Sequence, residues 1–202
     1  VLPLLAACGD ETTTAAPEGT CAYPEAGQVA KEVKDPPVEP DPEAPTEVTI
    51  STNQGNIKVA LDPDKAPCTV NSFLHLAKEG YFENTACHRL TTEGIFVLQC
   101  GDPSGTGMQG PGYRFADELL DGDPRMTNCT DQQVQGETTE VCTYPAGTLA
   151  MANSGPDTNG SQFFLVYQDS PLPAEYVIFG RMSAGGLGVV REVAAGGVGT
   201  NG

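Results

Sequence analysis

From residue 46 onward the chain acquires regular patterning. The run EVTISTNQGNIKVALD, residues 47 to 62, alternates apolar and polar side chains around Gln-Gly-Asn, which predicts two strands joined as a hairpin. The period then changes to that of a helix. In KAPCTVNSFLHLAKEGYF, residues 65 to 82, Val70, Phe73, Leu74 and Ala77 fall on one helical face, with Pro67 in the first turn and Gly80 at the stop. Short apolar runs follow at about 86 to 90, 95 to 100, 147 to 152, 162 to 167 and 177 to 182, separated by Gly, Pro and Asn turns. A last helix is expected over 186 to 195. Many short strands with two helices point to a mostly β barrel or sandwich.

Two stretches lack this periodicity. Residues 9 to 45 hold nine acids, two lysines and seven prolines, a composition that buries too little apolar surface to offset ordering entropy. They read as an extended, disordered, self-repelling linker; Cys21 keeps open the alternative that they pack on the domain. Residues 117 to 146 form a polar excursion with Cys129 and Cys142 on its two legs. The domain proper is therefore placed at 46 to 202, with an insertion at about 117 to 146.

The opening VLPLLAAC resembles the end of a bacterial lipoprotein signal peptide, whose cleavage before Cys8 would leave lipid on that thiol. Residues 1 to 8 are then a signal remnant, and the expected location is the outer face of the bacterial cell membrane, held by the lipid alone. The formal charge of −17 argues against nucleic acid or an anionic lipid surface as a direct partner. Six further cysteines in an exported chain suggest three disulfides. Cys129 with Cys142 could staple the excursion, and Cys87 with Cys100 could bridge neighbouring strands. Cys21 with Cys68 is what remains. No C-x-x-C pair or clustered histidines offer a metal site, and no cofactor is expected.

Some motifs lead nowhere. GTGMQG, residues 105 to 110, has the glycine spacing of a dinucleotide loop, but a Pro-Gly break follows where a helix should begin. Ser161 in NGSQFF lies outside a strand-turn-helix elbow, so it makes a poor hydrolase nucleophile. Two longer blocks are far more specific. CHRLTTEGIFVLQCGDPSGTGMQGPGYRFADE and PAGTLAMANSGPDTNGSQFFLVYQDSPLPAEYVIFGRM, together with the helix bearing NSFLHL, resemble the cyclophilins over about residues 46 to 198.

That resemblance implies a closed eight-stranded antiparallel barrel capped by two helices, its last strand missing from this chain. It implies a peptidyl-prolyl cis-trans isomerase, or rotamase, with Arg89 as the catalytic arginine and Gln99 as the neighbour that holds it. Phe96, Val97, Phe164 and Leu172 would form the proline pocket. Gly105, Thr106, Ala152, Asn153, Ser154 and Gln162 would meet the peptide backbone. The sequence departs from the family at several places. The Arg89 to Gln99 interval is two residues longer than usual, Val97 replaces methionine, Ser154 replaces alanine, and Tyr176 stands at a common histidine. Pro171 occupies the position of the tryptophan found in tight cyclosporin binders, so that drug is expected to bind weakly. Expected partners are proline-containing peptides and unfolded exported proteins, met by a monomer. The rival reading is a cyclophilin-shaped binding module or chaperone with little turnover.

Overall fold

The computed structural model describes residues 19–118, 121–134 and 136–198; Cys8, the signal remnant and the first part of the proposed linker lie outside them. The hairpin forms as the alternation requires. β1 (Glu47–Thr52) pairs with β2 (Gly55–Leu61), and Ile57, Val59 and Leu61 point inward while Asn56, Lys58 and Ala60 face out. α1 (Pro67–Lys78) follows, burying Thr69, Val70, Ser72, Phe73 and Leu76. The buried stripe is rotated from the predicted one, because Ala77 is exposed and Leu76 takes its place. Gly80, at φ +68, ends the helix, and Tyr81 N–H returns to the Leu76 carbonyl.

β3 (Arg89–Leu90), β4 (Val97–Cys100), β5 (Thr127–Val134), β6 (Glu137–Tyr144), β7 (Thr148–Met151), β8 (Phe163–Val166), β9 (Ser170–Pro173) and β10 (Ile178–Met182) complete the β structure, and α2 (Ala184–Ala195) closes the chain of elements. The strands form a seven-stranded antiparallel sheet, ordered β1-β2-β10-β7-β8-β4-β3, and a three-stranded sheet, β5-β6-β9. The mostly β fold with two helices is as expected. Ring closure is not made by the described ladder, in which β1 and β3 each keep one free edge.

β7 and β8 are buried on both faces, which is why they read as unbroken apolar runs rather than alternating ones. Leu149, Met151, Phe163 and Leu165 pack toward α1 in the larger core, whereas Ala150, Phe164 and Val166 belong to a second cluster on the opposite side. The excursion supplies part of that second cluster. It folds as the β5–β6 hairpin, pairs through β6 with β9, and contributes Met126, Cys142 and Tyr144. Its polarity hid two strands, since β5 is exposed along nearly all its length.

All three disulfides form with the expected partners: Cys21–Cys68, Cys87–Cys100 and Cys129–Cys142. The first corrects the reading of residues 9 to 45 as a disordered linker, over the part described. Residues 19 to 38 run as a strap along a ridge of α1. Tyr23 Oη donates to the Cys68 carbonyl, Asn71 Nδ2 donates to the Pro37 carbonyl, and the His75 ring contacts the Lys34 carbonyl at 2.7 Å. Cys21 and Tyr23 are buried, the latter edge-on to Tyr113 and Phe115. Composition misled because a covalent tether and the buried Cys21, Tyr23 and Pro36 outweigh an otherwise polar sequence.

A second long-range contact fixes the N-terminal end of that ridge, beside the disulfide. Ala66 at the start of α1 offers no capping side chain, and the Glu118 carboxylate accepts from Cys68 N–H, Thr69 N–H and Thr69 Oγ1 at 2.7–2.8 Å instead. An anion at a helix N-terminus meets both the orphan N–H groups and the dipole.

Cys21 and Cys68 close a loop with a sequence separation of 47. Replacing both with serine should lower unfolding free energy by about 4 kcal/mol on the chain-entropy scale, as read by urea denaturation. A loss below about 1 kcal/mol would mean that the strap holds without its tether.

Candidate active site

Phe164 organises the site. On β8 it pairs across the ladder with Gln99 of β4 on one side and Ala150 of β7 on the other, and its ring meets Tyr176 edge-on at 5.4 Å. Around it lies a cavity of about 170 Å³ lined by Arg89, Ile95, Val97, Gln99, Ala152, Asn153, Phe164, Leu172 and Tyr176. Of the residues expected to hold proline, Val97, Phe164 and Leu172 are in place. Phe96 is not among them. Val97 faces the second cluster, so its neighbour Phe96 must face the other way, where it packs on the larger core beside Tyr167 at 5.9 Å. Ile95, two residues before Val97 on the same face, takes the place in the wall. Period-two alternation from Val97 would have predicted this exchange.

Arg89 sits on a two-residue strand with an exposed side chain, opposite Gln99 in register. It is held by a series of side-chain amides. Arg89 Nη1 donates to Gln99 Oε1 at 3.1 Å, Gln99 Nε2 donates to Gln162 Oε1 at 2.9 Å, and Gln162 Nε2 donates to the Gln109 carbonyl at 3.1 Å. The guanidinium is thus fixed through one edge, leaving further N–H groups for a ligand. Tyr176 lies close enough to feel its charge. Burial raises the Tyr176 hydroxyl above its ordinary range, so the phenol stays neutral.

Asn153 and Ser154 lie on a turn beside the cavity. Asn153 Nδ2 donates to the Glu175 carbonyl at 2.6 Å, and Ser154 N–H donates to Thr158 Oγ1. Tyr144, from the insertion, accepts from Tyr176 N–H and donates to the Tyr176 carbonyl, which pins the loop carrying Tyr176. Leu172 is likewise placed by the insertion through the Cys142–Leu172 pairing. Sequence reasoning gave the insertion no part in the site, because its residues touch the pocket only from behind.

A second cavity of about 260 Å³ adjoins the first and shares Gln99, Ala152 and Asn153 with it. Ser154 and Gln162 line it, with Gly107, Met108, Gln109 and Gly110 of the glycine-rich turn. Gly105 and Thr106, expected at the peptide backbone, stand earlier in that turn and line neither cavity. Thr106 helps to hold the turn: buried Asp102 accepts from Ser104 N–H, Ser104 Oγ, Thr106 Oγ1 and Gln109 N–H. Burial works upward on the Asp102 carboxyl, yet these bonds outweigh it and leave it below its ordinary value. The turn's glycines therefore serve a carboxylate-centred loop, not a dinucleotide.

Residues 47–202 match the family described as cyclophilin type peptidyl-prolyl cis-trans isomerase/CLD, and the chain belongs to that family. It is 50% identical over 188 residues to a probable peptidyl-prolyl cis-trans isomerase B of Mycobacterium leprae, covering 90% of this chain and 61% of that protein. It is 48% identical over 184 residues to the Mycobacterium tuberculosis protein of the same description, covering 88% and 57%. The chain thus spans about three fifths of the length of these curated relatives. A crystal structure of a Cryptosporidium parvum cyclophilin type isomerase superposes with a TM-score of 0.52 at 33% identity, over 73% of this chain and 82% of that one.

His88, beside Arg89, is a further feature that the sequence did not single out. Both its ring nitrogens are buried without a hydrogen-bond partner among the described residues, and a Cβ on Gly107 would stand 3.1 Å from its Cδ2. Burial holds its pKa below the ordinary 6.5, with Asp102 pulling the other way. An unfolded chain therefore takes up this proton near 6.5 and the folded one only at lower pH, so acidification favours unfolding. We expect the His88 ring resonance to titrate below 6.5, and stability to fall as pH drops through and below that value, a slope that His88→Gln should flatten. Titration at or above 6.5 would contradict the buried placement.

Proposed function

We propose that this domain accelerates rotation about X-Pro peptide bonds in exported proteins. The single observation that carries this reading is a guanidinium tethered by Gln99 beside a cavity to which Ile95, Val97, Phe164 and Leu172 give an apolar wall. Rotation about an X-Pro bond is slow because the nitrogen lone pair is delocalised into the carbonyl, with a barrier of about 18–20 kcal/mol. No bond is broken, so no nucleophile or proton carrier is required. An apolar slot can seat the proline ring, while a fixed N–H donor favours the twisted amide, whose nitrogen lone pair is localised and able to accept. Each ~1.36 kcal/mol of that preference is a factor of ten in rate.

Arg89→Ala should lower kcat/KM on a short Ala-Pro peptide by about 100-fold, comparable to loss of one preorganised donor. Arg89→Lys should recover little, because an ammonium lacks the planar fork that can bond Gln99 and the substrate together. NMR exchange spectroscopy reads the rotation directly. Equally slow rates for wild type and Arg89→Ala, near that of the free peptide, would favour the rival reading, a module that binds proline peptides without useful turnover.

The same reading extends to location. Three disulfides suit an oxidising compartment, and the LAAC sequence ending at Cys8 suits lipid attachment there, with the domain on the outer face of the membrane. Intact mass of protein extracted from its own membrane, with and without reduction, should show a diacylglycerol increment and a gain of about six hydrogens on reduction. A water-soluble, unmodified chain would remove the anchor from the proposal.

A further inference from the structure

One wall of the second cavity does not come from the family domain. Ala26, Gly27 and Gln28 of the strap line it, and they precede the matched residues 47–202. Main-chain bonds seat them there. Ala26 N–H donates to the Gly112 carbonyl at 2.9 Å, Gly110 N–H to the Gln28 carbonyl at 2.9 Å, and Arg114 N–H to the Pro24 carbonyl at 3.0 Å. The Arg114 side chain lies against this wall, with Nε and Nη2 3.9 Å from where a Cβ on Gly27 would stand.

Arg114 is unusual among the five arginines of the chain. Arg125 is ion-paired with Asp62 and Asp123, Arg89 bonds Gln99, Arg181 bonds the Ala146 carbonyl, and Arg191 bonds the Tyr167 carbonyl. Arg114 alone has no side-chain hydrogen bond or ion pair among the described residues, although the chain holds 27 acids. It is half-buried, and the cavity it lines is otherwise furnished with the amides of Gln28, Gln99, Asn153 and Gln162. The amide nitrogens of Gln99, Asn153 and Gln162 each already donate once within the protein, so the group that suits the recess to a carboxylate is the unpaired Arg114 guanidinium.

We propose that this strap-walled recess is a subsite that selects an acidic side chain, Asp or Glu, near the proline of the bound peptide. The inference rests on the isomerase reading for the placement of proline in the first cavity. An extended peptide advances about 3.3 Å per residue, so a chain seated in one cavity enters its neighbour within two or three residues. The net charge of −17 opposes acidic ligands at long range, but at about 0.1 M salt the distant carboxylates are screened beyond roughly 10 Å while a contact pair is not.

The test is a peptide series in which one Glu, or Gln in its place, moves from three residues before the proline to three after it. For the wild-type protein one position should show kcat/KM about two- to fivefold higher with Glu than with Gln, the range of a partly exposed ion pair. Arg114→Gln should erase that ratio, and Arg114→Glu should turn it into a preference for Lys. Independently of turnover, the Arg114 Nε–H resonance of the wild-type protein should shift with the Glu peptide and stay still with the Gln peptide. Equal handling of Glu and Gln at every position, or a preference that survives Arg114→Gln, overturns the subsite. If no peptide is turned over, the isomerase reading fails, and the Arg114 resonance still decides whether the recess takes a carboxylate.

Discussion

The site depends on one hydrogen bond, from Arg89 to Gln99. A cation on an exposed two-residue strand has no intrinsic reason to hold a direction, and a flexible one would lose most of its catalytic value to side-chain entropy. The Gln99 amide supplies the direction, but it must be held in turn. Gln162 accepts from it and then donates to the Gln109 carbonyl, so the aim of the guanidinium is set by two strands, the residue before β8 and a turn at once. The glycine-rich turn that ends this series is itself wound around buried Asp102. Its far side is stitched to the strap by the bond from Gly110 N–H to the Gln28 carbonyl. Positioning one charged group thus draws on segments spread over most of the domain.

The apolar half of the site has a different origin. A strand buried on both faces must distribute its side chains between two cores, and β8 gives Phe163 and Leu165 to one and Phe164 to the other. The second core would be thin if the main sheet alone supplied it. The insertion thickens it with Met126, Cys142 and Tyr144, and its pairing to β9 sets Leu172 against the pocket. The hairpin thus acts as a backing plate, with its Cys129–Cys142 bridge keeping the two legs in register.

Period and motif made much of this legible before any coordinates. The hairpin, α1 and the buried strands announced themselves through spacing, and the joint resemblance of the two long blocks located Arg89, Gln99 and Phe164 together. What escaped was set by contacts between distant residues. Phe96 was assigned to the pocket by position in a motif, whereas strand alternation from Val97 sends it into the opposite core. Nothing near Ala66 in sequence reveals that Glu118 will cap its helix. The strap looked disordered because its few apolar groups are diluted by acids and prolines, and only Cys21 hinted that it was tied down. Polar strands such as β5 leave almost no trace in a hydropathy pattern.

The strap also separates two notions of a domain that are often treated as one. The match to the family model begins at residue 47, yet Cys21 and Tyr23 are buried against residues far inside the matched region. A fragment cut at residue 47 would leave Tyr113 and Phe115 without the ring that covers them, and the Cys68 thiol without its mate. The family pattern marks what a whole class of chains holds in common; cohesion marks the part that must be inherited together, and in this protein the second reaches further toward the N-terminus than the first.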